Sequence, residues 1–194
     1  MPARTTSPTF DLAACAGRLV ELSSTESSAL LTTACRLVLD AQQNGDYVAW
    51  ITLGGSTWFA PDVADIGIDL DALIVIRANT VVDAARAADE LVRANAFGLI
   101  VIDMGTGART ERLPAAAVTR LSGLALRHDM AIVFLTSKSS DTASLSSLIS
   151  LRVETHSLPC GAGQFRIRIQ VVKDKRQGPG AMHEEVCRGP AGLS

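Results

Sequence analysis

The 194-residue sequence lacks the features that direct a protein into a membrane or out of the cell. It has no apolar run close to the roughly 18 residues that a membrane-spanning helix needs. Its first ten residues contain no apolar segment of the kind found in secretory leaders. The four cysteines form no C-x-x-C pair, which favours reduced thiols over a disulfide framework. These absences predict a cytoplasmic protein.

The sequence also lacks a large excess of charge of either sign. Its formal net charge of -2 gives no general attraction to nucleic acid or to membranes. The charge is nevertheless unevenly distributed. From residue 164 onward six basic residues stand against three acidic ones, so this segment carries +3 and the part before it carries -5. A basic C-terminal segment on an acidic body indicates one interacting face.

Apolar runs alternate with segments of helical periodicity along most of the chain. The runs GRLVEL, YVAWITL, LIVIR, GLIVID and AIVFLT are typical of buried strands. Such alternation predicts an α/β fold with a mostly parallel sheet flanked by helices. The later segments LRVETHS and FRIRIQVV alternate strictly and predict a C-terminal antiparallel hairpin. We expect a disordered arm over residues 1–12, one domain over 13–176 and a flexible, glycine-rich tail over 177–194.

Residues 20–34, VELSSTESSALLTTA, have the strand-turn-helix pattern of a phosphate-binding loop without its working residues. The Walker pattern G-x-x-x-x-G-K-[ST] uses glycines to wrap phosphates, a lysine to neutralise them and a hydroxyl to hold Mg²⁺. Both glycines, the lysine and the hydroxyl that holds Mg²⁺ are missing from their positions in the aligned residues, which are Ser24, Thr25, Glu26, Ser27, Ser28, Ala29, Leu30 and Leu31. We therefore expect no tight triphosphate binding, no ATP hydrolysis and no cofactor.

The sequence around this loop resembles the RecA recombinases. GRLVELSSTESSALLT resembles their segment G-R-I-V-E-I-x-G-P-E-S-S-G-K-T-T, and LIVID resembles the Walker B strand with Asp103 on its aspartate. IVFLTS resembles the strand before the second DNA-binding loop. RIQVVKDK resembles the strand whose lysines, here Lys173 and Lys175, reach ATP across the RecA filament interface. The resemblance implies a reduced RecA-like core.

Departures from the RecA pattern imply a protein without catalytic activity. Gly54 stands where the family has its catalytic glutamate, and Ser137 stands where it has the glutamine that senses the γ-phosphate. Among RecA-like accessory proteins of the bacterial DNA-damage response, the chain resembles the ImuA group more than the SulA group. This likeness implies an adaptor in translesion synthesis that binds an ImuB-type polymerase homologue and an associated error-prone polymerase.

Candidate contacts with such a partner are exposed aromatic and basic residues: Trp58, Phe59, Arg166, Arg168, Lys173 and Lys175. We also expect weak self-association through a remnant of the RecA subunit interface. Two alternatives stay open, namely a SulA-like inhibitor of cell division that binds FtsZ and a residual nucleotide or single-stranded DNA binder. Several candidates also have a purely structural interpretation. Asp103 can cap nearby backbone, and the two lysines can be solvated charges at a strand end.

Overall fold

The computed structural model describes residues 10–25, 27–54, 60–105, 113–161 and 164–188. For residues 27, 28, 60–62 and 188 it describes the backbone alone. The elements in chain order are α1 Leu12–Cys15, β1 Arg18–Ser23, α2 Ser27–Gln43, β2 Tyr47–Leu53, α3 Ala60–Asp65, β3 Leu73–Ala78, α4 Val81–Ala94, β4 Phe97–Asp103, α5 Ala115–His128, β5 Ala131–Thr136, β6 Leu151–Gly161, β7 Gln164–Asp174 and β8 Met182–Arg188.

The strands form one sheet of order β3-β2-β4-β5-β1-β6-β7-β8. Each neighbouring pair from β3 to β6 is parallel, and the β6–β7 and β7–β8 pairs are antiparallel. The predicted fold class, a mostly parallel sheet with an antiparallel C-terminal extension, is confirmed.

Hydrophobic cores lie on both faces of the sheet. Successive side chains of a strand point to opposite faces, so the central strands β1 and β5 are buried along their whole length. Trp50 lies fully buried on the face covered by α1 and α2. Phe134 is fully buried on the face covered by α4 and α5. Burial on both faces explains why these strands are nearly continuous apolar runs in the sequence.

Two helix ends follow local capping rules. The Thr80 side chain accepts a hydrogen bond from the backbone N–H of Asp83 and so caps the N-terminus of α4. Helix α4 ends at Ala94, and the C-cap residue Asn95 adopts the left-handed conformation that terminates many helices. Among the described residues, no helix combines the length and apolar character needed to cross a membrane. All four cysteines are free thiols, and burial raises the pKa of Cys15 to about 12.

The structure corrects the expected tail over residues 177–194. Met182–Arg188 forms β8, which pairs with β7 across seven residue positions from Gln164–Arg188 to Gln170–Met182. The preceding glycines make a turn, since Gly178 and Gly180 adopt positive φ angles of 85° and 105° that favour glycine. At the other end Phe10 is buried in the core, so ordered packing begins before residue 13.

Candidate functional site

The centre of the sheet has the geometry of a nucleotide crevice. Ser23 on β1 is in register with Thr136 on β5, and Asp103 on β4 is in register with Leu135. The carboxyl ends of these parallel strands therefore share one edge of the sheet. Helix α2 begins directly after β1, which lies between β5 and β6. Such a position is the usual ligand site of open α/β sheets.

At this crevice, the residues aligned with the Walker lysine and its neighbours contribute to the protein core. Leu30, at the lysine position, is 6% exposed, and Ala29, at the second glycine position, is fully buried in the same cluster. Leu31 is partly buried against that cluster. Thr25 is exposed, whereas Glu26 and the side chains of Ser27 and Ser28 lie outside the described residues.

The start of the loop is fixed to its neighbouring strands. The Ser24 hydroxyl donates to the carbonyl of Thr155 on β6 at 2.6 Å. The Ser24 N–H donates to the carbonyl of Thr136 on β5 at 3.2 Å. These two bonds connect the loop to strands on both sides of β1.

Asp103 lies at the crevice, as the Walker B alignment implies, and it is buried. Its Oδ1 accepts a hydrogen bond from the N–H of Gly105 at 3.0 Å, which caps the turn that follows β4. Gly54, aligned with the catalytic glutamate, is exposed just beyond the end of β2. A glycine at this position supplies no carboxylate to activate water.

Glu21 is the centre of a buried charged network that the sequence analysis missed. This carboxylate lies in the middle of β1 and is fully buried. Its Oε1 is 2.6 Å from the Lys138 Nζ and accepts a hydrogen bond from the Thr136 hydroxyl at 3.0 Å. Its Oε2 accepts the N–H of Leu145 at 3.0 Å and lies 3.9 Å from the Arg152 Nε. In the sequence, the sign of this network is a single acidic residue within an apolar strand.

Arg152 and Glu154 on β6 extend this network to residues 137–150, here called the serine-rich loop. The Arg152 guanidinium donates to the carbonyls of Ser139, at 2.6 Å, and Thr142. The Glu154 Oε1 accepts the N–H of Ser140 at 2.9 Å. Both side chains are buried, so the loop is held on the sheet by charge-assisted hydrogen bonds.

Lys173 and Lys175 converge on the same loop. The Nζ atoms of both donate to the carbonyl oxygen of Ser147, at 3.5 Å and 2.8 Å. Burial, together with the neighbouring Lys175 ammonium, lowers the pKa of Lys173 below its ordinary value. In this structure the two candidate lysines therefore contact the protein's own backbone.

Of the other four candidate contacts, two lie in the part of the chain that the structure describes and two lie outside it. Arg168 and Arg166 lie on β7 with their Nε atoms 2.9 Å and 3.9 Å from the two carboxylate oxygens of Glu184 on β8. Because β8 was expected to be a loose tail, this partner could not be predicted. Trp58 and Phe59 lie outside the described residues.

The sequence model of the RecA N-terminal domain matches residues 12–136, more than half of the chain. The chain belongs to this family. It is 39% identical over 90 residues to a plasmid-encoded RecA protein of Lactococcus lactis and 40% identical over 88 residues to the RecA protein of Amycolatopsis mediterranei. Each match covers 45% of this chain and only 25% of the relative, so the matched segment spans about a quarter of these curated relatives.

A solved structure with low sequence identity to this chain has a similar fold. The flagellar accessory protein FlaH of Methanocaldococcus jannaschii superposes with a TM-score of 0.61 at 12% identity. The match covers 89% of this chain and 85% of that one. The predicted RecA-like fold is therefore confirmed for nearly the whole length.

Proposed function

We propose that this RecA-like chain is a non-catalytic adaptor of the ImuA type in DNA-damage-induced translesion synthesis. It binds an ImuB-type polymerase homologue and helps recruit an error-prone polymerase. The observation that supports this proposal most strongly is the position of Leu30. The residue aligned with the lysine that contacts phosphate is apolar and is packed in the core.

The electrostatics of the crevice support the absence of ATPase activity. A bound triphosphate concentrates negative charge that a Walker lysine and Mg²⁺ normally offset. Here the lysine of the buried network, Lys138, is already paired with Glu21 at 2.6 Å. Glu26 adds a further negative charge to the loop in the sequence. Triphosphate binding would therefore lack a dedicated cation.

The serine-rich loop supports a scaffold whose surface does not depend on nucleotide. The loop is held by Glu21, Arg152 and Glu154, which are all buried. Buried ion pairs with satisfied hydrogen bonds fix one arrangement, since breaking them exposes an uncompensated charge. A fixed loop suits a protein that presents a constant surface to a partner.

The sheet edge at β3 offers an apolar surface for protein contacts. Ile74 and Val75, which point to opposite faces of β3, are 46% and 38% exposed, and Tyr47 at the start of β2 and Ile66 and Leu70 in the segment before β3 are exposed as well. We call these five residues the apolar edge. Exposed apolar strands at a sheet edge are typical sites of association, so this edge supports partner binding and the weak self-association proposed for the chain.

A capture experiment tests the adaptor role against the alternative of cell-division inhibition. The purified chain is immobilised and offered an ImuB-type polymerase homologue or FtsZ at equal concentration. Saturable retention of the polymerase homologue alone is the expected result. Retention of FtsZ alone would support the SulA-like alternative and contradict the adaptor role. Failure to retain either protein would also contradict it.

A further inference from the structure

One side of β6, β7 and β8 is open beside the serine-rich loop. Two rows of directly opposed residues make up this surface, which we call the open face: Leu158, Arg166 and Val186 in one row, and His156, Arg168 and Glu184 in the next. On the other side of β7, Ile167 and Ile169 are buried in the core. Strand alternation therefore turns the open face toward solvent, and Leu158 and Val186 are 39% and 54% exposed.

The adjoining part of the same side already holds a turn of the chain's own backbone, which the Thr142 N–H closes on the carbonyl of Ser139. Arg152 and Glu154 precede His156 and Leu158 at alternate positions of β6, so all four side chains share one side of the strand. Arg152 donates to the carbonyl of Ser139, and Glu154 accepts the N–H of Ser140. The serine-rich loop thus shows that charged side chains on this side of the sheet bind backbone N–H and C=O groups.

The open face has positive charge that its own residues do not fully balance. Arg166 and Arg168 share the single carboxylate of Glu184. A guanidinium carries five N–H donors, so both arginines retain donors for a second acceptor. In the first row Arg166 lies between the aliphatic side chains of Leu158 and Val186. A ligand that combines carboxylates with aliphatic groups matches this arrangement.

The composition of the open face favours a protein over nucleic acid. The exposed apolar residues, Leu158 and Val186, are aliphatic, whereas single-stranded nucleic acid is bound through stacking on aromatic side chains.

We propose that the open face binds an acidic segment of a partner protein, laid beside the serine-rich loop. This proposal depends on the proposed adaptor function in one respect, because it takes the partner to be a protein. Carboxylates of the segment pair with Arg166 and Arg168, and its aliphatic side chains pack on Leu158 and Val186.

Fluorescence anisotropy with a short labelled peptide that alternates glutamate and leucine tests this binding. The variant R166E/R168E is expected to lose affinity by about tenfold or more, because both cations become repulsive. V186D keeps both arginines and should weaken binding several-fold. The matched control R86E/R127E makes the same change of charge at exposed positions on α4 and α5 and should stay within about twofold of the wild type. Circular dichroism confirms that each variant is folded.

Three results would overturn the proposal. The first is an equal loss of affinity in R86E/R127E, which would indicate general charge attraction. The second is binding of a single-stranded oligonucleotide through Arg166 and Arg168 with no binding of the peptide. The third is undiminished capture of the ImuB-type protein by R166E/R168E, which would leave the adaptor function intact. Conversely, peptide binding that depends on the open face, without any capture of ImuB, would support this proposal and contradict the adaptor function.

Discussion

The two ends of the sheet have contrasting chemistry. At the β3 end, Ile74 and Val75 expose apolar surface, and Arg77 is the charged residue within the strand. At the β8 end, the exposed apolar residues Met182 and Val186 flank charged ones: Glu184 pairs with arginines of β7, and Glu185 pairs with Arg36 on α2. Charged side chains on an edge strand discourage non-specific pairing, whereas an apolar edge invites association. If the two ends take part in association, we expect the β3 end to depend on apolar contact and the β8 end to depend on charge.

The same contrast continues into the interior. The half of the sheet around β2 and β4 is held mainly by apolar packing, with Trp50 and Ile100 fully buried. The half around β1, β6 and β7 also contains buried ions, including Glu21, Arg152 and Arg18. Removing one member of a buried ion pair is costly because its partner is left as an uncompensated charge. Stability in this half should therefore respond strongly to single changes of charge.

The largest effect is expected from E21A. The substitution leaves Lys138 and Arg152 without their shared carboxylate and removes the acceptor for the N–H of Leu145. We expect the free energy of unfolding to fall by about 4 kcal/mol, as measured by urea denaturation. D83A removes an exposed acid from α4 and is expected to cost at most about 1 kcal/mol. Equal losses of stability in E21A and D83A would contradict the expectation that buried charge contributes more to stability than exposed charge.

The second-largest effect on stability is expected at Asp174, which pairs with the buried Arg18. Burial disfavours its ionised form, but hydrogen bonds from the Arg18 side chain and the Arg176 N–H outweigh this and lower its pKa. The pair therefore stabilises the fold above the unfolded-state pKa of about 4, and this stabilisation is lost as pH falls through the lower folded-state pKa. D174N should be about 3 kcal/mol less stable than the wild type at pH 7.

The gap between D174N and the wild type is expected to narrow as the pH falls below about 4. Urea titrations of both proteins across this range measure the gap. A gap that is constant with pH would show that the ionised carboxylate does not stabilise the fold.

The smallest effect on stability is expected at the apolar edge. I74K places a charge on a residue that is already half exposed, so the free energy of unfolding should change by less than about 1 kcal/mol. Weak self-association should nevertheless decrease, because a lysine at an edge strand opposes pairing. Sedimentation velocity over a range of concentrations measures this change. V186K is the matched control on β8, and an equal effect there would show that the two ends do not differ in association.

Local patterns were sufficient to predict most of the fold. Apolar runs marked β1 to β5, and strict alternation marked the β6–β7 hairpin, because burial on two faces or one face imposes these patterns. β8 was missed because the glycines and the proline before it resemble those of a loose tail, while its pairing with β7 is a tertiary property. Likewise, the Glu21 network joins residues more than a hundred positions apart, so no local pattern contains it.

For the candidate site, the sequence predicted the missing phosphate-binding groups but not the contacts of the residues that are present. The sequence shows that Ala29 and Leu30 replace glycine and lysine. It does not show that Lys173 and Lys175 contact the carbonyl of Ser147, since the path of the serine-rich loop depends on buried charges of β1 and β6. The sequence therefore predicted which residues occupy the site, but it did not predict which groups those residues contact.

Titration of the purified protein with a fluorescent ATP analogue in the presence of Mg²⁺ tests the central claim most directly. A core that has leucine in place of the phosphate-binding lysine predicts no saturable binding, with a signal equal to that of the analogue in buffer. A saturable curve with a micromolar Kd would contradict the claim, because it would require cationic groups at the crevice that offset a triphosphate.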